Sequence, residues 1–389
     1  MPLPQPTTSQ RLPQTFDDIE ARLRRLERRR TGGGGGDCVS VLDYGTLLEA
    51  VTAAAAGGFD LCIPENTTVT CSTALSNPGW PTPSEAWRGV TIRGHNRHTS
   101  KISFTATNGG SGTADVEPTL QHLTVELAAT SRMELSSLTD CDVLDNHTTG
   151  VFFVGAVGLI GSYGVDHVND CVFITSQNGA NTNFQSATVT NCTFIDTSST
   201  GAGLYFDTAE VVDCQIRNYK TVSTSSNARN QFVGCRVEIR NVASAYAILG
   251  GRVASCGFTG GSNSTFLVDS AQVSTCSFSG SKVEAEAGSI LTGCVVSGVP
   301  GGSHSVTVTT AGTVLFSSCF IGAQSNQNAI HTTVNAPLIV TGCSLFGSGG
   351  TGTGVNATGT AACVVVGNEI TNFATATSVP GGSAVANNI

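Results

Sequence analysis

A short motif built around a cysteine, seen at Val189-Thr190-Asn191-Cys192-Thr193-Phe194, recurs from residue 138 almost to the C-terminus. Its cysteines are Cys141, Cys171, Cys192, Cys214, Cys235, Cys256, Cys276, Cys294, Cys319, Cys343 and Cys363, about 21 residues apart, a repeat length that points to a solenoid. Three places before the cysteine stands an apolar residue such as Leu138, Val168, Val189, Val211, Phe232 or Val340, with Thr360 as the departure. Two places after it stand Val143, Phe173, Phe194, Ile216, Val237, Phe258 and their equivalents through Val365.

Side chains two apart on a strand share a face, so an apolar residue three places ahead requires a bend before the cysteine. That position holds Asp140, Asp170, Asn191, Asp213, Gly234, Ser255 and other small or turn-forming residues. Each copy therefore reads strand, corner, strand. Apolar clusters such as Leu204-Tyr205-Phe206 and Val306-Thr307-Val308 supply a third strand. The fold class is all-β, a parallel β-helix with three sheets and a narrow interior. Equivalent positions then stack about 4.8 Å apart, and the cysteines form an internal column of reduced, buried thiols. The competing readings are a disulfide framework or a zinc site. Parallel Cβ vectors disfavour the first, and the absence of any CxxC pair disfavours the second.

Composition agrees with this turn-rich architecture: 46 of 389 residues are glycine and 12% are charged. A formal net charge of −9 argues against nucleic acid as a partner. No basic segment precedes an apolar one at the start, and no apolar run reaches membrane-spanning length. The expectation is a soluble chain without a signal peptide or membrane insertion, its cysteines formed in a reducing compartment.

Residues 1–14 are rich in proline and polar residues and read as an extended arm. Residues 15–30 read as a short helix with an acidic start and a basic end. Phe16, Ile19, Leu23 and Leu26 are spaced three, four and three, an a/d seam suited to pairing with copies of itself as a coiled coil. The glycine run in residues 31–36 is a flexible linker. Residues 37–137 read as a cap and first rungs, and 138–389 as regular rungs closing in a partial one.

In the cap, an Ala-rich helix from about Thr46 ends at Gly57-Gly58 and is followed by the strand Asp60-Leu61-Cys62-Ile63-Pro64. Gly89-Val90-Thr91-Ile92-Arg93-Gly94 and Thr99-Ser100-Lys101-Ile102 follow. This order resembles the N-terminal cap of the pectate-lyase-like right-handed β-helix superfamily. With an oligomerising helix ahead of it, it is similar to bacteriophage tail spikes and tail fibres. The resemblance implies a homotrimer docked through residues 1–36 to other virion proteins, assembled in the host cytoplasm and carried on the virion tail. Its body would contact host-surface glycan or envelope protein as an adhesin.

Spikes of this fold often cleave polysaccharide, so the alternative is a depolymerase, hydrolase or lyase; a head-surface decoration fibre is a further one. Glycoside hydrolysis needs two carboxyl groups about 5–10 Å apart. Asp145 and Asp196 share one repeat position two rungs apart, and Asp207 and Asp269 share another three rungs apart. Asp140, Asp170 and Asp213 are explained as turn residues. The 30-residue interval from Cys141 to Cys171 holds Phe152, Phe153, Tyr163, Asp166 and His167, the candidate wall of a groove. Gly347, Gly349 and Gly352 match a dinucleotide-binding string without the helix that string requires. The sequence assigns no catalytic, cofactor or metal-binding residue, and its balance is against an enzyme.

Overall fold

The computed structural model describes residues 38–72, 89–105, 114–127, 133–135, 137–146, 151–154, 166–177, 181–224, 230–299 and 304–389. The arm, the Phe16, Ile19, Leu23 and Leu26 seam and the glycine linker lie outside the described residues.

Among the described residues, three parallel sheets form a right-handed β-helix, with 16 strands in sheet A, 14 in sheet B and 13 in sheet C. Each turn passes from A through a tight corner to B, then to C and back. One turn is Ala187–Thr190, Thr193–Asp196 and Gly203–Asp207. Register is in step between turns: Val189 pairs with Val211 in sheet A, and Phe173 with Phe194 in sheet B. The inward columns this creates are fully buried, and their rings stack between rungs, as in Phe173–Phe194 at 4.9 Å and Phe258–Phe278 at 5.0 Å.

The corner between A and B explains the motif. His122, Asp140, Asp170, Asn191, Asp213, Ser255, Thr275 and Ser318 all have φ between 51° and 56°, and Gly234, Gly293, Gly342 and Gly367 lie between 61° and 69°. One left-handed residue per turn reverses the pleat, and Asp, Asn and Gly tolerate that conformation best. The bend would leave the cysteine N–H without a ladder partner. That of Cys192 donates instead to the sulfur of Cys214 at 3.4 Å, and that of Cys235 to Cys256 at 3.3 Å. The thiols donate in turn to backbone carbonyls, as Cys192 does to Thr190 at 3.2 Å.

Cys363 does not belong to this column. It sits just ahead of Val364–Val366 in sheet A, and the corner of that turn is Gly367 followed by Asn368. The failure of Thr360 to fit the apolar rule was the sign of this shift. Asn368 takes the cysteine's place, accepting from the Cys343 N–H at 2.9 Å, and Asn388 repeats the arrangement one turn later.

Thr46 and Glu49 form a reciprocal capping box at the start of helix α1, Leu47–Gly57, and Gly58 closes it in the left-handed region. Leu47, Ala50, Val51 and Ala54 are buried against the first strands, covering the open end of the solenoid. A disulfide joins Cys38 to Cys62 with Cα atoms 5.5 Å apart. The expectation of reduced, buried thiols concerned the repeat cysteines, which are free and buried, and did not cover this pair. The two belong to the first strands rather than to the repeat, where no periodicity relates them.

Candidate active site

The segment His95–Ser100 crosses the A–B corner between strands Thr91–Gly94 and Lys101–Phe104. Asn96 organises it: its carbonyl accepts from Ser100 N–H at 2.8 Å, and its side chain accepts from His98 N–H at 3.0 Å. Arg97 thereby lies along the corner and reaches the next rungs. Its guanidinium donates to Asp140 Oδ1 at 2.6 Å and to Asp142 Oδ1 at 2.8 Å, and also to the carbonyls of Cys141 and Asp170.

Each of these carboxylates holds an imidazole with its other oxygen. Asp140 Oδ2 meets His122 Nδ1 at 2.5 Å, and Asp142 Oδ2 meets His98 Nδ1 at 2.7 Å. The result is a continuous chain, His122–Asp140–Arg97–Asp142–His98. The Arg97 side chain is 19% exposed, whereas those of His122 and His98 are 43% and 75% exposed. Arg97 and Asp142 are thus largely covered, whereas Asp140 and the two imidazoles reach solvent.

Burial works against charge at both centres of the chain, yet the ion pairs prevail. Hydrogen bonds and charge from Asp142 and Asp140 hold Arg97 above its ordinary value, and His122 with Arg97 holds the Asp140 carboxyl below the usual aspartate range. A carboxylate on Nδ1 fixes an imidazole's tautomer and orientation, leaving Nε2 as the nitrogen that exchanges protons with a bound molecule. Two such nitrogens, held through one guanidinium, can serve as a base and an acid.

Sequence reading took Asp140 as a turn residue and did not single out Arg97, His98, His122 or Asp142. A signal was present. Thr119–Gln121, His122, Leu123 and Thr124–Leu127 form the sheet A and sheet B strands and the corner of a rung with leucine in the cysteine position, which places His122 in the same corner column as Asp140. The reach of Arg97 across two rungs has no such signature.

The carboxylates that the sequence did compare have other roles. Asp145 and Asp196 flank Thr175 on successive strands of sheet B, and both are fully buried. Asp196 accepts from the N–H groups of Ser198 at 2.8 Å and Ala202 at 2.6 Å, anchoring the turn into sheet C. Thr175 bonds the hydroxyl of Tyr219, which a bulge after Arg217 turns into the core. Asp207 and Asp269 do not meet. Instead Asp269 follows Val268, whose partner Ala285 precedes Glu286, and the two carboxyl groups adjoin across neighbouring rungs. Burial and then the charge of Asp269 raise the Glu286 carboxyl above the ordinary glutamate value.

His167 is exposed, and its N–H donates to Ser137 Oγ at 3.3 Å. Phe152 and Phe153 lie in the strand Val151–Val154 and Asp166 opens Asp166–Asn169, while Tyr163 lies outside the described residues. The glycines at 347, 349 and 352 link two strands, as a corner rather than a nucleotide loop.

No family model and no curated protein matches the chain. Among solved structures it is similar to the Azotobacter vinelandii mannuronan C-5 epimerase AlgE6 A-module, at 13% identity and a TM-score of 0.45, covering 90% of this chain and 98% of that one. It is also similar to the endo-xylogalacturonan hydrolase of Aspergillus tubingensis, at 10% identity and a TM-score of 0.21, covering 90% of this chain and 99% of that one. Both names are those of enzymes that act on polysaccharide, and against them stands the expectation, drawn from short rungs and scarce carboxylates, of a chain that is not an enzyme.

Proposed function

We propose that this chain is a polysaccharide depolymerase that uses His98 and His122 as its acid–base pair. The observation that carries the reading is the His122–Asp140–Arg97–Asp142–His98 chain, which fixes two solvent-facing imidazoles on one corner. Glycosidic cleavage by hydrolysis or by β-elimination needs one group to take a proton, from water or from the carbon beside a carboxylate, and another to give one to the leaving oxygen. Lys101, paired with Glu126 at 2.6 Å, stands on the adjoining face of sheet B, in one column with Asp142 and with Thr124, which is buried between them. A face of that kind can hold successive polar sugar units along the rod.

The test is incubation of the full chain with capsular, cell-wall and uronate-containing polysaccharides, followed by reducing-end and ultraviolet assays. New reducing ends with unsaturated sugars identify a lyase, and new reducing ends without them a hydrolase. Intact polymer throughout the panel overturns the proposal.

The resemblance to phage spikes enters the same proposal as its biological setting: a homotrimer on a virion tail, bringing the site to host-surface glycan. Its support is the order of arm, apolar seam and glycine tether in residues 1–36. Sedimentation of the full chain as three copies of 39.8 kDa is expected, and a stable monomer contradicts it.

A further inference from the structure

Cys38, Cys62 and His95 come from three neighbouring levels at the N-terminal end of sheet A. Cys38 directly precedes Val39–Ser40, Cys62 is the middle residue of Leu61–Ile63, and His95 follows Thr91–Gly94. The strands are consecutive in the sheet, with Ser40 opposite Cys62 and Cys62 opposite Arg93. The N–H of His95 donates to the Ile63 carbonyl at 3.0 Å, which seats the histidine beside the cysteine-bearing strand. The sulfurs and a ring nitrogen of His95 all lie within 4.8 Å of one another. His95 is exposed, and among the described residues neither ring nitrogen has a hydrogen-bond partner.

From this geometry we infer that the reduced chain binds one thiophilic divalent metal ion, zinc foremost, through Cys38, Cys62 and His95. Two thiolates and an imidazole with one position left for water form the donor set of an open zinc centre. Tetrahedral zinc holds such donors roughly 3.5–3.8 Å apart, from Zn–S near 2.3 Å and Zn–N near 2.0 Å. The present cluster reaches that spacing once the sulfurs separate by side-chain rotation. On binding, two S–H bonds break, two Zn–S bonds and one Zn–N bond form, two protons pass to solvent, and no electron moves. Disulfide formation is the competing fate. It removes two electrons and two protons to an oxidant of the disulfide class, such as oxidised glutathione, and closes the site until a dithiol reverses the exchange.

Metal or disulfide, the link ties residue 38 to the first rung. The ion adds His95, and with it the segment that carries Arg97 and His98. The ladder thiols offer no rival site, since they are buried and point at backbone carbonyls.

The test is cobalt titration of the full chain, reduced with a phosphine and freed of reductant without air. One equivalent should produce thiolate-to-cobalt charge-transfer absorption with tetrahedral d–d bands, and zinc should abolish both at one equivalent. Cys38→Ser should lose the charge-transfer band, His95→Ala should weaken binding at least tenfold, and the oxidised chain should bind none. Cys38 stands at the rim, so its variant keeps the test valid if Cys62→Ser fails to fold. Absence of the band in the reduced wild type, or its full retention in Cys38→Ser, overturns the inference.

Discussion

The N–H of Cys343 donates to Oδ1 of Asn368 at 2.9 Å, where an ordinary rung has the N–H of Cys192 donating to the sulfur of Cys214 at 3.4 Å. Asn368 also donates to the Val340 carbonyl at 3.0 Å, matching the contact of the Cys214 thiol with the Val189 carbonyl. An amide therefore reproduces both bonds of the thiol and shortens each. Asn368→Ala leaves the buried Cys343 N–H unpaired and removes the amide's bond to the Val340 carbonyl, and should cost about 1–3 kcal/mol, whereas Asn368→Cys should cost less because it restores the ladder. Urea unfolding checks this, and equal losses for the two variants contradict it.

The same ladder predicts chemical inertness. Burial pushes the Cys171 thiol up, and the contact with Cys235, assisted by burial, pushes Cys256 up to about 12. Thiolate is then scarce at these two positions at neutral pH, whereas the contacts with Cys192 and Cys294 push Cys214 and Cys319 the other way; burial of the whole column is what should confine iodoacetamide labelling to the unfolded chain. Cys235→Ala should cost about 1 kcal/mol or somewhat more, and Cys235→Leu more still, because the narrow core has no room for a larger side chain.

Two carboxyl groups should respond to pH in opposite senses. Asp140 is held below the ordinary value by His122 and Arg97, so its stabilisation is present above the unfolded value and is lost as pH falls through the folded one. Asp140→Asn should therefore lower the melting temperature at pH 7 and leave it nearly unchanged in strong acid. Glu286 is raised, so its contribution is fully present below the unfolded value and is lost as pH rises through the folded one. Glu286→Gln should then stabilise the chain at pH 7. Melting curves from pH 3 to pH 8 decide both, and parallel shifts in the two variants contradict the assignment.

The repeat was legible because three constraints coincide at each turn: an inward apolar residue, a left-handed corner and a small buried thiol. Val189, Asn191, Cys192 and Phe194 meet all three without help from distant residues. Cys363 misled because it copies the residue type without the corner. The histidine chain escaped because its geometry depends on stacking. Arg97 and Asp142 are 45 residues apart, and only the reach of one side chain across two rungs joins them. The pairing of Asp269 with Glu286 escaped for the related reason that rung lengths vary: the two adjoin in sheet C, yet Asp269 stands seven places before Cys276 and Glu286 eight before Cys294.

The central claim is acid–base cleavage of polysaccharide by the two carboxylate-held imidazoles. The most direct measurement is the turnover rate of His122→Gln and His98→Gln on a polysaccharide that the wild-type chain cleaves, with melting temperature recorded alongside. Loss of one proton-transfer group should lower kcat by about 10²–10⁴-fold while the fold persists, since both rings lie at the surface. Wild-type turnover in both variants would contradict the assignment and move the search to the Asp269–Glu286 pair.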